Sequence, residues 1–182
     1  MANVFIVPID DATAHSDFGI TIEKGYDLET LLPLIHEETQ IEHLRRIYPD
    51  GKCYVWGVQE RGDNVSTWNI MAEEDLVLGY CNRSIVFASN VMMKINNPSL
   101  AIKLWSKNTD APFSLMCFTD APHLDEVPIV SQMLRYLDED YTGFTKLDPE
   151  KCDNILRDYG SFEIFVRLCL KYDFPFSFRH SE

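Results

Sequence analysis

The hydrophobic and polar positions of this chain predict short strands and helices in alternation along its whole length. Residues 4–9 (VFIVPI) form an apolar run typical of a strand, and residues 18–22 alternate in a way that predicts a second strand pairing back with it. Residues 28–47 have helical spacing, with Pro33 in an early turn. The turn signal Pro49-Asp50-Gly51 closes this N-terminal part.

The middle of the chain predicts a small β-barrel. A strand at 53–58 is followed by a polar loop at 59–66, which leads to Trp68. Turn residues at 82–84 separate two further strands, and Ser99 is a candidate cap for a short helix. The remaining predicted elements are strands at 75–80, 85–95 and 113–118 and a helix at 100–105.

The last third of the chain predicts mainly helices. Residues 128–137 have the spacing of a short amphipathic helix, after an exposed turn at 123–126. A turn leads into a strand at 143–144, and a final helix covers 149–172 with a break at Gly160. No internal repeat, linker or low-complexity segment divides the sequence.

Composition indicates one ordinary folded domain. The 182 residues are 46% hydrophobic and 12% aromatic, which excludes a disordered chain. The five cysteines are widely spaced without a C-x-x-C pair, which indicates free thiols and a cytoplasmic location rather than disulfides or a zinc site. Residues 1–3 lack a basic leader, and 4–9 is too short to span a bilayer, so no membrane partner is expected.

The net charge of −13 argues against tight, autonomous binding to duplex DNA. The acidic residues are concentrated at 23–42 and 120–163, however, and the barrel-like middle carries several cations. The side chains predicted to contact a nucleic-acid backbone are Arg61, Arg83, Lys103 and Lys107.

Motifs for catalysis are missing from the sequence. It has no P-loop, no dinucleotide-binding G-x-G-x-x-G, no G-x-S-x-G and no H-E-x-x-H, and the zinc-deaminase pattern is absent. His36 and His43 lie seven residues apart, but no third residue is spaced to complete a metal site. We therefore predict a binding domain that is not an enzyme and carries no cofactor or metal.

The three tryptophans all fall between residues 53 and 118, and aromatic rings are what proteins use to stack unpaired bases. Trp68 follows the polar loop and fits a pocket wall or a core position equally well. Trp56 lies within a strand and Trp105 on the apolar side of a helix, so both fit the core better. Tyr80 and Phe118 end strands, where they line the same opening or plug the barrel. Gly57 permits close approach of a ligand or of main chain.

The order of these segments resembles the EVE/YTH-related N-terminal domains of McrB-type restriction proteins, in the PUA-like superfamily. The resemblance covers about residues 53–144, through the segments YVWGV, W, EEDLVLGY, NRS, IVFASNVMMKI, LAIKLW, FSLMCF and YTGF. It implies an α+β fold with a small mixed β-barrel flanked by helices. Residues 1–50 would form an N-terminal strand and helix extension packed on the barrel, and 51–182 the recognition domain with a C-terminal helix.

The same resemblance implies roles for individual residues. Trp68 would form one wall of an aromatic cage, and strand 113–118 the other, through Phe118 or, after a shift in register, Cys117 or Phe113. Polar contacts to the base would come from near Gly57 and Val58, from Asn64, or from Asn82. The implied base-binding set is Trp68, Trp56, Phe118, Tyr80, Asn82 and Asn64. The chain departs from the family by having Glu74-Asp75 where a Gly-Asp is usual, and by lacking a tryptophan in strand 113–118.

The resemblance implies a module that flips a modified, typically methylated, base out of DNA and holds it. An AAA+ GTPase domain and a nuclease subunit of a restriction system used in antiviral defence would be its partners. Two alternatives remain open at this point. In the first alternative, the chain is a PUA-like binder of RNA or modified RNA. In the second, it is an acidic protein–protein interaction module of a defence system.

Overall fold

A sheet of eight strands organises the computed structural model, which describes residues 2–105 and 110–171. The strand order is β2-β3-β6-β5-β4-β1-β8, and β7 also pairs with β5. β1 runs parallel to β4, and the other pairs are antiparallel. The strands are β1 (Val4–Pro8), β2 (Tyr26–Asp27), β3 (Lys52–Val58), β4 (Leu76–Cys81), β5 (Ser84–Asn96), β6 (Leu115–Thr119), β7 (His123–Pro128) and β8 (Thr145–Lys146).

Strand β5 is the longest strand and connects the two halves of the sheet. Its first half pairs with β4 on one side and β7 on the other, and its second half pairs with β6. The tight connection from β4 uses Asn82 and Arg83, which both adopt positive φ angles, 46° and 62°. Two consecutive residues of this kind are typical of a hairpin turn whose twist matches that of the strands. The predicted turn at 82–84 is therefore confirmed.

Helices cover both outer sides of this sheet. Asp11, Asp148 and Ser161 cap three of them, each accepting a main-chain N–H with its side chain. The helices are α1 (Ala12–Phe18), α2 (Glu38–Ile47), α3 (Asp63–Ile70), α4 (Pro98–Trp105), α5 (Pro149–Tyr159) and α6 (Phe162–Cys169). One π-helical turn (Gly19–Glu23) and three 3-10 turns (Leu28–Thr30, Leu32–Leu34 and Ser131–Met133) complete the described helical structure.

Successive side chains of a strand point to opposite faces of the sheet, so alternate residues belong to different buried clusters. On β3 and β6, Val55 and Phe118 pack towards α2 and α4. Trp56 and Cys117, one position along, belong instead to a central cluster with Phe5 and Val77. On the outer face of β1 and β4, a third cluster packs against α5 and α6. The sheet is thus buried on both faces.

Several predicted elements are confirmed. Strands β3, β4, β5 and β6 and helix α4 lie where the hydrophobic pattern placed them, within a residue or two. The final helical region breaks as expected at Gly160, which has a left-handed φ of 81° and separates α5 from α6. The turn at Gly143 also leads into a strand, β8.

Other predicted elements were wrong. The strand expected at 18–22 is the end of α1 and the π-helical turn, where the Thr21 hydroxyl donates to the Asp17 carbonyl at 3.0 Å. The polar loop at 59–66 ends early, because α3 already begins at Asp63. The helix expected over 28–47 is reduced to two 3-10 turns and α2, and Pro33 lies in the second turn. The exposed turn at 123–126 is strand β7, and 128–137 contains one 3-10 turn.

The N-terminal strand is hydrogen-bonded within the sheet. β1 lies between β4 and β8, so residues 4–8 share main-chain hydrogen bonds with strands from later in the chain. β2 pairs antiparallel with β3, so a strand before residue 50 and a strand after it share one ladder. The division of the chain at residue 50 stays a prediction, and the sheet is continuous on both sides of it.

Candidate functional site

A cavity of about 460 Å³ lies where the ends of β1 and β3 approach α1 and the start of α3. Its volume is within the range of about 300–1,000 Å³ that is usual for small-ligand pockets. Pro8 is its contribution from β1, and Trp56, Gly57 and Val58 line it from β3. Aromatic and polar side chains converge on it.

Four aromatic side chains form its apolar walls: Trp56, Trp105, Phe113 and Phe144. The rings of Trp105 and Phe113 meet edge to face, with centroids 6.1 Å apart. Gly57 makes this approach possible, because a Cβ atom there would lie 2.4 Å from the Phe113 carbonyl oxygen and 2.7 Å from Cη2 of Trp105. The close approach expected at Gly57 is thus an approach of main chain and indole.

Helix α1 supplies the acidic side of the cavity. The Asp11 carboxylate begins the helix by accepting from the Ala14 main-chain N–H at 2.7 Å. The helical repeat then places Asp11, Ala14 and Asp17 along the side that lines the cavity. Asp17 is only 5% exposed, whereas Asp11 is exposed to solvent. The cavity therefore has one carboxylate in a buried position and a second in solvent.

Two amide side chains continue the polar wall between β3 and α3. The Gln59 Nε2 group donates to the Ala111 carbonyl at 2.9 Å, and the Asn64 Nδ2 group donates to the Gln59 carbonyl at 3.0 Å. Both amides thus direct an NH₂ group to main chain, and their carbonyl oxygens remain as acceptors. Arg61, which is exposed, is a cation that lines the same cavity.

Three of the residues predicted from the sequence meet at this cavity. They are Trp56 and Asn64 of the base-binding set and Arg61 of the backbone-binding set. Phe113, the alternative to Phe118 after a shift in register, also lines it. Gly57 and Val58, which marked the expected place of polar contacts, lie there as well.

Trp68 lies outside the residues that line this cavity. It belongs to α3 instead of a loop, and its indole Nε1 donates to the Met116 carbonyl at 3.2 Å. The Lys94 ammonium lies 4.2 Å from the ring centroid and donates to the Trp68 carbonyl at 2.6 Å. Desolvation lowers the pKa of Lys94 in this half-buried position. These contacts attach the end of α3 to β5 and β6.

Phe118 and Tyr80 lie in other parts of the core. Phe118 is fully buried on the opposite face of β6 from Cys117, with its ring centroid 6.4 Å from that of Tyr48. The Tyr80 hydroxyl donates to the Glu139 carbonyl at 3.2 Å, and its ring contacts Tyr141. The structure does not bring either ring to the cavity, because each points away from the central cluster.

The other predicted polar and basic residues are dispersed. Asn82 lines a second cavity with His15 and Cys81, whose Nε2 and Sγ atoms are 3.6 Å apart. Arg83 forms an ion pair with Glu139, and Lys103 is exposed on α4. Lys107 lies outside the described residues. A contact of any of these residues with a base or a phosphate stays a prediction.

Sequence reasoning missed the contribution of α1. Asp11 and Asp17 lie between the two strands expected at 4–9 and 18–22, where no helix was predicted. Asp11 at the start of α1 was the available signal, since aspartate is a preferred N-cap residue. Gln59 was counted only as part of a polar loop.

Metal-ligating side chains and cysteine thiols are the groups of the described residues most often used in chemistry. Within 2–105 and 110–171, no group of three or more His, Cys, Asp or Glu side chains is placed to hold a metal ion. Burial raises the pKa of the Cys53 and Cys117 thiols to about 12, so both are protonated at neutral pH. In the same ranges, no helix has the length and apolar character needed to cross a membrane.

Comparison with known proteins identifies the fold. No family model matches the chain, and no curated protein matches it significantly. Among solved structures it is similar to the N-terminal domain of Thermococcus gammatolerans McrB bound to m5C DNA, with a TM-score of 0.62 and 18% sequence identity. The match covers 86% of this chain and 96% of that one. The predicted α+β fold class is therefore confirmed: the chain shares the fold of that McrB N-terminal domain.

Proposed function

We propose that this chain binds DNA carrying a modified base and holds that base, flipped out of the duplex, in the cavity between α1 and the β3–α3 connection. The observation that carries the proposal is the convergence of Trp56, Phe113 and Asn64 on one cavity with polar and apolar walls. Rings stack an unpaired base and polar groups bind its edge, which is how flipped bases are held.

The structural neighbour supports the nature of the ligand. That protein is described as bound to m5C DNA, and its fold is shared over 86% of the present chain. A methyl group on the base adds apolar contact in a cavity with aromatic walls. Extruding the base costs a few kcal/mol, which the stacking and edge contacts in the cavity would offset.

The charge distribution favours base contacts over extensive phosphate contacts. The net charge is −13, and among the described residues Arg61 is the basic side chain that lines the cavity. Arg61 is exposed beside the cavity, and Lys103 is exposed on the helix that also carries Trp105. We propose these two residues as phosphate contacts. Arg83, already paired with Glu139, is the weaker candidate.

Titration of matched oligonucleotides tests this function. Fluorescence anisotropy at low salt should show at least about tenfold tighter binding to a duplex with 5-methylcytosine or N6-methyladenine than to the unmodified duplex or to RNA of the same sequence. Equal affinity for all three would contradict the proposal. Tighter binding to RNA would favour the RNA-binding alternative.

The acidic charge favours a second candidate, a protein–protein interaction module. Electrostatic attraction to nucleic acid is strongest at low salt. If no nucleic acid shifts the anisotropy under those conditions, this second function replaces the first. If the chain does bind modified DNA, the resemblance suggests that it acts in the cytoplasm as the targeting module of a restriction system. Its partners would be an AAA+ GTPase and a nuclease, which would carry out catalysis.

A further inference from the structure

The second cavity, also of about 460 Å³, is bordered by α1, the π-helical turn that follows it and the paired strands β5 and β7. Its floor is apolar, with Ile9 and Phe18 both buried. Its rim is open to solvent, because His15, Glu23 and Leu124 are exposed there. No described residue lines both cavities, so a ligand of the second cavity leaves the base cavity open.

An irregularity in strand pairing brings two neighbouring carboxylates to this cavity. The register of β5 and β7 shifts at Val86, which lies opposite two residues of β7, Asp125 and Glu126. In a regular strand two successive side chains point to opposite faces, whereas both of these line the cavity. Bulges of this kind redirect side chains and are frequent beside functional sites. The strand is thus shaped to place acidic groups at the rim.

The charges around the cavity favour a cationic ligand. Glu23, Asp125 and Glu126 line it, and among the described residues no lysine or arginine does. Desolvation raises the pKa of the Cys81 thiol on the floor, and the Asp10 and Glu126 carboxylates add to the rise. The thiol is therefore protonated at neutral pH, and the carboxylates dominate the potential that a ligand meets.

The arrangement of these carboxylates suits an extended cation better than a metal ion. Within 2–105 and 110–171, no three His, Cys, Asp or Glu side chains are placed to hold a metal. The acidic groups are instead distributed around the rim of a cavity with an apolar floor. An arginine side chain matches both features, since its alkyl stem packs on apolar surface and its planar guanidinium donates to more than one carboxylate.

We propose that the second cavity binds an arginine side chain presented by a protein partner. The stem of that arginine packs on Ile9 and Phe18, and its guanidinium donates to the carboxylates of Glu23 and Glu126. Leu124, 46% exposed at the rim, offers an apolar contact to a residue next to the arginine. A small polyamine would leave this contact unused, so a polypeptide is the better match.

This interaction goes beyond DNA binding. An acidic cavity repels phosphates and attracts cations, and the net charge of −13 attracts a basic partner from a distance. The chain would then bind a protein partner and DNA at two separate cavities.

A pair of blocked peptides tests the inference without DNA, so its outcome is independent of the proposed function. The complete, ¹⁵N-labelled chain is titrated at low salt with the peptide acetyl-Gly-Leu-Arg-Leu-Gly-amide. The comparison peptide carries citrulline in place of arginine, which keeps the shape and removes the charge. We expect the NMR signals of His15, Cys81 and Glu126 to shift saturably with the arginine peptide, and the citrulline peptide to bind about tenfold more weakly. Equal affinity for the two peptides, or shifts confined to other surfaces, would overturn the proposal.

Glu126→Gln assigns the binding to the cavity. The amide keeps the size of the side chain and removes its charge, so the affinity for the arginine peptide should fall about threefold to fivefold. Glu73→Gln is the matched control, because Glu73 is exposed and lines neither cavity; it should leave the affinity unchanged. An equal loss in the two variants would indicate attraction to the net charge alone and contradict the site. Spermidine binding as tightly as the arginine peptide would contradict the choice of a protein partner.

Discussion

Replacing Trp56 with leucine is expected to weaken binding of a modified duplex by about tenfold or more and to leave binding of the unmodified duplex unchanged. Trp56 is a ring of the cavity wall, 8% exposed. Stacking of a base on an aromatic side chain contributes about 1–3 kcal/mol, and 1.4 kcal/mol corresponds to a factor of ten in affinity. Leucine keeps apolar volume in the central cluster but has no ring face. Anisotropy titrations with the two duplexes measure the difference.

Trp68→Leu is the matched control for this substitution. Trp68 is half-buried and holds α3 through Met116 and Lys94, and it does not line the cavity. The variant should lose thermal stability and keep the preference for the modified duplex. The opposite pattern, in which Trp68→Leu removes the preference and Trp56→Leu does not, would assign the base to Trp68 as the sequence resemblance implied.

Gly79→Ala is expected to destabilise the fold by about 3 kcal/mol, near the upper end of typical overpacking costs. Gly79 pairs with Phe87 across β4 and β5, and its added Cβ atom would lie 2.1 Å from Cδ1 of that ring. Phe87 is fully buried in the central cluster, so it has little room to move. For a domain of this size the loss corresponds to a fall in Tm of roughly 6–12 °C. Thermal unfolding followed by circular dichroism measures it.

Gly19→Ala provides the control for the glycine substitution. Gly19 has helical φ and ψ angles of −58° and −35°, and its Cβ atom would have an ordinary contact at 3.5 Å with Glu23. Alanine there should leave Tm unchanged or raise it slightly, since it reduces the entropy of the unfolded chain. Similar melting temperatures for Gly79→Ala and the unsubstituted protein would show that β4 and β5 do not pack as described.

The strands were predictable because burial on both faces leaves a long, nearly continuous apolar run. β4 and β5 are of this kind, and Asn82-Arg83 between them is an evident turn. The break at Gly160 was equally evident, since only a residue that tolerates positive φ separates α5 from α6 so closely. These local signals defined the order of segments, and the resemblance based on that order implied the fold class.

The candidate site was harder to predict because it depends on elements with weak patterns. Helix α1 depends on the Asp11 cap and on burial of Phe18 at its end, and its sequence has little hydrophobic periodicity. Helix α3 has no fully buried residue, so its sequence resembles a loop and gave no indication that Trp68 is attached to Met116 and Lys94.

The sequence could not show which aromatic side chain in or before strand β6 faces the cavity, because that depends on the register of strand pairing. Phe118 and Phe113 are both plausible from the sequence, and side chains that are an odd number of positions apart along an extended chain face opposite sides. Only the pairing of Val55 with Phe118 and Trp56 with Cys117 shows that Phe118 packs away from the cavity. Phe113, which precedes the strand, is the one that lines it.

A crystal structure of the chain in complex with a duplex that carries one 5-methylcytosine tests the central claim most directly. The account predicts that the modified base leaves the duplex and lies in the cavity between α1 and β3, stacked on Trp56, with its polar edge near Asn64. A base that remains stacked in the duplex, or one bound against Trp68 or in the second cavity beside Asn82, would contradict it.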